Sequence, residues 1–94
     1  MANPAAFRAI IHGHVQGVFF RAVVFERANE LGLTGYVRNL PSGREVEVRA
    51  EGERELLEKL IELVKVGPPL ARVDHISVKW SNCKGEFHRF TVRD

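Results

Sequence analysis

The feature that most constrains the fold is a change of hydrophobic period in the middle of the chain. In residues 44–51 apolar and charged side chains alternate, which is the two-residue period of a strand that buries one face and leaves the other in water. In residues 56–64 the apolar side chains recur at three- and four-residue intervals, and Gly67 follows as a helix stop. The fold must therefore pack at least one amphipathic helix against a sheet.

Further elements are predicted on both sides of this pair. Gly13 ends a run rich in β-branched and aromatic residues, Gly32 follows a helical repeat, and residues 41–43 form a turn between two strands. The predicted elements are, in order, strand 6–12, helix 20–32, strand 35–40, strand 44–52, helix 53–66, strand 73–80 and the short strand 87–92.

This order is the split βαβ pattern of α+β ferredoxin-like sandwiches. In that fold one antiparallel sheet, here of four to five strands, carries both helices on one face, and residues 1–94 form a single domain. The first two strands run parallel on either side of the third. We therefore expect residues 13–21 and 38–40 to face each other at one sheet edge, about 10 Å apart.

Length and composition exclude several classes of protein. The 94 residues, 45% of them hydrophobic, can form one small core, and no apolar run reaches the roughly 20 residues of a membrane span. The single cysteine excludes an internal disulfide, and the first residues lack the features of a signal peptide, so the expected location is cytoplasmic. The net charge of +2 comes from interspersed charges of both signs, so nucleic acid is not expected as a partner.

The segment from Gly13 to Arg21 has the parts of an anion-binding loop. Its glycines let the backbone curl, and the helix that follows begins with unsatisfied N–H groups. A cation in the first turn of a helix opposes the macrodipole, so an anionic ligand such as phosphate or a carboxylate would explain Arg21. From the residues alone, the alternative is a tight strand-to-helix connection that binds nothing.

Two blocks of sequence carry a resemblance to a known family. Residues 13–21, GHVQGVFFR, resemble the acylphosphatase signature G-R-V-Q-G-V-x-F-R, and residues 35–39, GYVRN, resemble its second block, G-[WY]-V-[KR]-N. The similarity extends from about residue 7 to residue 92 and includes GPPLARV at 67–73. The resemblance implies the ferredoxin-like fold and the hydrolysis of carboxyl-phosphate anhydrides to a carboxylate and inorganic phosphate.

The resemblance also implies candidate catalytic residues. The family's phosphate-binding arginine falls on Arg21, and its water-orienting asparagine falls on Asn39. The planar fork of arginine can hold two phosphoryl oxygens, and asparagine can orient a water without removing its proton. Without the first block, Asn39 would be interpreted as a cap on the strand before the turn. The remaining oxygen charge is assigned to the backbone amides of Val15, Gln16, Gly17, Val18, Phe19 and Phe20.

Other notable residues have weaker interpretations. His14 occupies a position that is usually arginine in the family, and Phe19 is either loop packing or a lid over the substrate. The histidines lack the spacing of metal ligands, so no metal and no other cofactor is expected. Cys83 has no motif around it and is expected to be a bystander in a loop.

The resemblance thus implies a stand-alone acylphosphatase that acts on small acyl phosphates. Because a carboxylate is a good leaving group, no metal ion is expected to be needed. At this chain length a monomer is expected. Two alternatives are a non-catalytic module that binds anions with the same loop and a nucleic-acid-binding ferredoxin-like module. The second would need aromatic residues on the third strand, where the sequence has Glu45, Glu47 and Arg49. Phosphate release from an acyl phosphate separates the enzyme from the anion-binding module.

Overall fold

The order of helices and strands is the one that the sequence predicts. The structure is a computed structural model that describes residues 3–93. Helix α1 ends at Glu30 rather than at residue 32, because Gly32 takes a left-handed φ of 71° and its amide donates to the carbonyl of Asn29. The elements are β1 (Pro4–His14), α1 (Phe20–Glu30), β2 (Thr34–Asn39), β3 (Glu45–Glu53), α2 (Arg54–Val66), β4 (Arg72–Ser81) and β5 (Phe90–Arg93).

The five strands form one sheet in the order β4-β1-β3-β2-β5. β1 and β2 each pair antiparallel with β3, so they run parallel to each other on either side of it. His12 of β1 lies opposite Glu45, and Asn39 of β2 lies opposite Val46, so both strands end at the same edge of the sheet. The predicted meeting of the loop after β1 with the end of β2 is confirmed.

β5 departs from the antiparallel sheet that the sequence predicts. It pairs in parallel with β2, with Gly35 opposite Phe90 and Arg38 opposite Arg93. Because β4 and β5 lie at opposite edges, residues 82–89 must cross the sheet before β5 begins. The sheet is therefore mixed, and β5 starts at Phe90 rather than at residue 87 because the residues before it belong to this crossing.

The hydrophobic core lies between the sheet and the two helices. As predicted, both helices cover one face of the sheet. Val46, Val48 and Ala50 of β3 are almost completely buried there, so the alternation identified the buried face correctly. The helices contribute the apolar side chains Phe20, Val24, Ala28, Leu57, Leu60, Ile61 and Val64, and β1 contributes Phe7, Ala9 and Ile11.

The opposite face of β3 is not the solvated surface that the alternation predicts. Glu47 is 2% exposed and Glu51 is 4% exposed. Glu51 accepts hydrogen bonds from the backbone amides of Lys84 and Glu86, both at 3.0 Å, because the crossing segment runs over this face. A two-residue period shows which residues share a face, but not whether another segment covers that face. The expectation of a wet face is wrong for these two glutamates.

Glu47 is buried among enough donors to remain ionised. It accepts hydrogen bonds from Nε of Arg38 at 2.6 Å, from Nε of Arg8 at 2.5 Å and from the hydroxyl of Tyr36 at 3.0 Å. Burial opposes ionisation, but these hydrogen bonds outweigh it and hold the pKa of Glu47 below its ordinary value. The cluster joins β1, β2 and β3 on the face opposite the helices.

We expect Glu47→Gln to lower the free energy of unfolding by about 2 kcal/mol at neutral pH. Arg8 and Arg38 would lose their charged hydrogen-bond acceptor, and water would compensate for that loss only in part. A carboxylate whose pKa falls on folding contributes stability above its unfolded pKa, ordinarily 4.5, and loses it as the pH falls through the folded value. In urea unfolding, the difference from the wild type should therefore be constant above about pH 5 and shrink in acid.

The control for this experiment is Glu45→Gln on the same strand. Glu45 is half-buried, and its ion-pair partner among residues 3–93 is His12, at 3.8 Å. This variant should unfold within about 0.5 kcal/mol of the wild type. A Glu47→Gln deficit that persists unchanged into strong acid would contradict the ionised, hydrogen-bonded state of Glu47.

Candidate active site

The loop between β1 and α1 is anchored to the hydrophobic core by its own side chains. Val15 and Phe20 are each 1% exposed, and Val18 is 7% exposed, all three within the core cluster. Burial of apolar side chains at both ends and in the middle of so short a loop leaves its backbone little freedom. The loop is therefore a rigid part of the fold.

Gln16 ties the loop to the neighbouring turn between β2 and β3. Its side-chain amide donates to the carbonyl of Leu40 at 2.9 Å and to the carbonyl of Glu45 at 3.0 Å. The sequence predicts only a role for the backbone amide of Gln16. The bridging role of its side chain could not be inferred from one sequence, because both acceptors are backbone carbonyls of distant residues that carry no residue-type signal.

The loop presents its backbone amides as a group. Gly17 and Phe19 take left-handed φ values of 75° and 64°, which turn the chain sharply before the helix. Within residues 3–93, the amides of residues 16–20 donate no hydrogen bond to other backbone groups. α1 has no side-chain cap and no acidic residue in its first turn. Consecutive unsatisfied N–H groups at a helix N-terminus are suited to binding an anion.

Arg21 lies in the first turn of α1, where the sequence places it. Its Nη1 donates to the backbone carbonyl of Arg93 at 3.4 Å, a long hydrogen bond. Within the part of the chain that the structure describes, no carboxylate forms an ion pair with Arg21. Arg21 as a whole is half-buried, and its guanidinium can still offer its remaining donors to a ligand.

Asn39 is the last residue of β2. Its Oδ1 is buried and accepts no hydrogen bond from any of residues 3–93. The turn that follows is closed by backbone bonds, from the amide of Leu40 to the carbonyl of Glu45 at 2.9 Å and from the amide of Gly43 to the carbonyl of Leu40 at 3.3 Å. The turn therefore does not depend on the carbonyl group of Asn39, which is left with an unmet hydrogen-bonding capacity.

Arg21 and Asn39 line the same cleft, whose volume is about 360 Å³. Two of the predicted loop residues, Gln16 and Val18, are not part of its lining, and His14 is exposed at the end of β1. Arg38, the neighbour of Asn39, binds Glu47 on the other face of the sheet. The lining residues are Val15, Gly17, Phe19, Phe20, Arg21, Ala22, Asn39 and Val92.

The arrangement can bind a tetrahedral anion and hold a water beside it. Arginine offers a planar pair of donors, the loop offers backbone amides, and a buried amide carbonyl offers an acceptor. Residues 3–93 contain no group of three or more histidine, cysteine, aspartate or glutamate side chains arranged to hold a metal ion.

The comparison with protein families identifies the family of the chain. The acylphosphatase family model matches residues 7–92, which is nearly the whole chain. The chain belongs to the acylphosphatase family. Acylphosphatases are hydrolases whose substrates are acyl phosphates and whose product is inorganic phosphate, so the activity that the sequence predicts is confirmed.

Individual acylphosphatases support the same assignment. One from Pyrobaculum calidifontis is 48% identical over 82 residues, which cover 87% of this chain and 74% of the relative. One from Dehalococcoides mccartyi is 42% identical over 86 residues, covering 92% and 94%. The crystal structure of acylphosphatase from Bacillus subtilis matches with a TM-score of 0.91 at 39% identity, over 96% of this chain and 99% of that one. The ferredoxin-like fold is confirmed, and the two non-enzymatic alternatives are not favoured.

Two further expectations concern membranes and Cys83. No helix within residues 3–93 is long and apolar enough to cross a membrane. Cys83 is a free, partly buried cysteine between β4 and β5, in the loop where the sequence places it.

Proposed function

We propose that acyl phosphates are hydrolysed in this cleft, with Arg21 as the phosphate-binding residue and Asn39 as the residue that orients the attacking water. The observation that carries this proposal is that α1 and the end of β2 bring to one cleft a guanidinium and an amide carbonyl that has no hydrogen-bond partner among the described residues. A side-chain acceptor without a protein partner is what a bound water requires.

Arg21 and the loop amides bind different phosphoryl oxygens. The guanidinium takes two oxygens through its parallel donors, and the charge on the remaining oxygen is met by the amides of the loop from Val15 to Phe20. These donors are in place before the substrate arrives, because the loop is held by its buried side chains and by Gln16. Pre-arranged donors stabilise the charge of the transition state without reorganisation of the site.

Asn39 holds the attacking water by accepting one of its hydrogen bonds at Oδ1. A bond forms from the water oxygen to phosphorus while the bond from phosphorus to the carboxyl oxygen breaks, and the carboxylate leaves with the electron pair. An amide accepts no proton, so the proton of the water goes to a phosphoryl oxygen. The products are a carboxylate and dihydrogen phosphate, which together carry the charge of the acyl phosphate dianion.

We expect hydrolysis to need no metal ion. The carboxylate is a good leaving group, and Arg21 with the loop amides supplies the charge stabilisation that a metal ion otherwise provides. The test is phosphate release from acetyl phosphate in excess chelator, beside a phosphate monoester as a poor-leaving-group control. Activity towards the acyl phosphate should persist, and the monoester should not be turned over. Loss of activity on chelation, restored by a divalent cation, would contradict this expectation.

Inorganic phosphate should inhibit competitively with respect to the acyl phosphate. The product and the phosphoryl group of the substrate would occupy the same donors, the guanidinium of Arg21 and the loop amides. Initial rates at several phosphate concentrations should show an increased KM with an unchanged kcat. A reduced kcat with an unchanged KM would place the anion site elsewhere in the molecule.

The proposal includes a monomer that acts in the cytoplasm on small acyl phosphates. Arg21 and Asn39 line one cleft of a single chain, which supports catalysis by a monomer. The single cysteine is a free thiol, which suits a reducing compartment. Sedimentation of the active protein tests the first statement.

A further inference from the structure

The proposed reaction uses the backbone amide of Phe19 but leaves its side chain unexplained. Phe19 has a φ of 64° and a ψ of 16°, and it is the one residue other than glycine with a positive φ among residues 3–93. A bulky side chain in the left-handed region is unfavourable by about 1 kcal/mol or more, so the surrounding structure must hold it there. Folding gains little in return, because Phe19 is 75% exposed.

The neighbouring residue, Phe20, is packed in the core and so contrasts with Phe19. Phe20 is 1% exposed and belongs to the core cluster, whereas Phe19 does not. Phe19 instead lines the cleft that contains Arg21 and Asn39. Val92 of β5 lines the same cleft and is itself 45% exposed. Two accessible apolar side chains therefore lie beside the proposed phosphate donors.

The charges around the cleft favour the same kind of ligand. Among residues 3–93, Arg21 is the one charged side chain in the lining, and the phosphoryl group would occupy it. Two other arginines of β2 and β5 are engaged on the far face of the sheet. Arg38 binds Glu47 at 2.6 Å, and the guanidinium of Arg93 lies 4.0 Å from the centre of the Tyr36 ring. A second anionic group on the acyl side would therefore meet no further cation among the lining residues that the structure describes.

We propose that Phe19 and Val92 form an acyl-group subsite that selects acyl phosphates whose acyl group is apolar or aromatic. This inference rests on the proposed function of the cleft, and it names the substrate class of that same site. The acyl group lies against the exposed ring of Phe19 and the side chain of Val92, which removes apolar surface from water and allows aromatic contact. The left-handed backbone of Phe19 is then the conformation that keeps its ring out of the core and at the cleft.

The test compares kcat/KM for benzoyl phosphate with kcat/KM for acetyl phosphate in each protein. Taking this ratio relative to the wild type removes the difference in intrinsic reactivity between the two substrates. Phe19→Asn removes the ring with a residue that tolerates the left-handed conformation, and Phe19→Trp keeps an aromatic ring. Val92→Thr keeps the shape of the side chain and makes it polar. Leu70→Ala is the matched control, since Leu70 is 69% exposed and lies outside the cleft lining.

We expect the ratio to fall about fivefold in Phe19→Asn and about twofold in Val92→Thr, and to be kept or raised in Phe19→Trp. Leu70→Ala should keep the wild-type ratio. An unchanged ratio in both Phe19→Asn and Val92→Thr overturns the subsite, as does an equal fall in Leu70→Ala. Should the wild type hydrolyse neither substrate, the proposed function itself fails. Turnover of both substrates with a ratio that no variant moves refutes the subsite alone.

Discussion

Arg21→Ala should reduce kcat/KM for an acyl phosphate by about a thousandfold or more and should abolish inhibition by inorganic phosphate. Arg21 is the one charged side chain that the described part of the chain, residues 3–93, contributes to the cleft lining, so its removal leaves the phosphoryl charge to the loop amides. Arg21→Lys should recover little activity, because an ammonium group keeps the charge but cannot hold two oxygens at once. Steady-state kinetics and phosphate inhibition measure both effects.

The fold should survive this substitution. Arg21 makes one long hydrogen bond, to the carbonyl of Arg93, and its charge opposes the dipole of α1. The free energy of unfolding of Arg21→Ala should therefore equal or slightly exceed that of the wild type. Arg27→Ala is the matched control on the same helix, because the ion pairs of Arg27 within residues 3–93 are surface pairs with Glu26 and Glu30. Wild-type activity in Arg21→Ala or Arg21→Lys, or a comparable loss in Arg27→Ala, would refute the assignment.

The fold was predictable because each element has a local signature. The alternation in β3 and the helical repeat in α2 identify both elements and the faces that they bury, and the turn at 41–43 fixes the hairpin. Once the order was known, the topology placed the loop after β1 next to the end of β2. The shared cleft of Arg21 and Asn39 follows from that placement without any side-chain detail.

The features that could not be predicted depend on contacts between distant segments. The burial of Glu51 depends on the amides of Lys84 and Glu86, and the bridging role of Gln16 depends on two backbone carbonyls. No pattern of residue types marks a backbone acceptor. The parallel pairing of β5 depends on the path of the crossing segment over the sheet, which its sequence does not specify.

Phe19 shows a different kind of limit. The sequence left two interpretations, loop packing and a lid, because an aromatic residue beside a glycine-containing loop is compatible with both. Its exposure decides against packing, and it has a left-handed backbone and lines the cleft. Backbone conformation and exposure at a single position are set by the whole fold, so a local sequence pattern could not have decided between the interpretations.

Asn39→Ala should lower kcat by about a hundredfold or more while the inhibition constant for inorganic phosphate stays within about twofold of the wild type. If Asn39 contacts only the attacking water, its interaction is made chiefly in the transition state, and phosphate binding by Arg21 and the loop is preserved. This separation of kcat from anion affinity distinguishes Asn39 from Arg21, whose variants should lose both. Asn29→Ala is the control, since the side chain of Asn29 is exposed on α1 and donates to the carbonyl of Phe25 at 3.0 Å. A parallel loss of phosphate affinity in Asn39→Ala would make it a phosphate ligand instead.

The role proposed for Asn39 also predicts how kcat depends on pH. An amide does not titrate, and the proton of the water passes to the substrate, so no protein base should control the rate near neutrality. A plot of log kcat against pH should be flat there, apart from the ionisation of the substrate and unfolding at the extremes. His14 is the histidine nearest the loop in sequence, but it is exposed at the end of β1 and outside the cleft lining. His14→Gln should therefore leave the profile unchanged. A limb near neutrality that disappears in His14→Gln would identify a general base in the loop and reduce Asn39 to an auxiliary role.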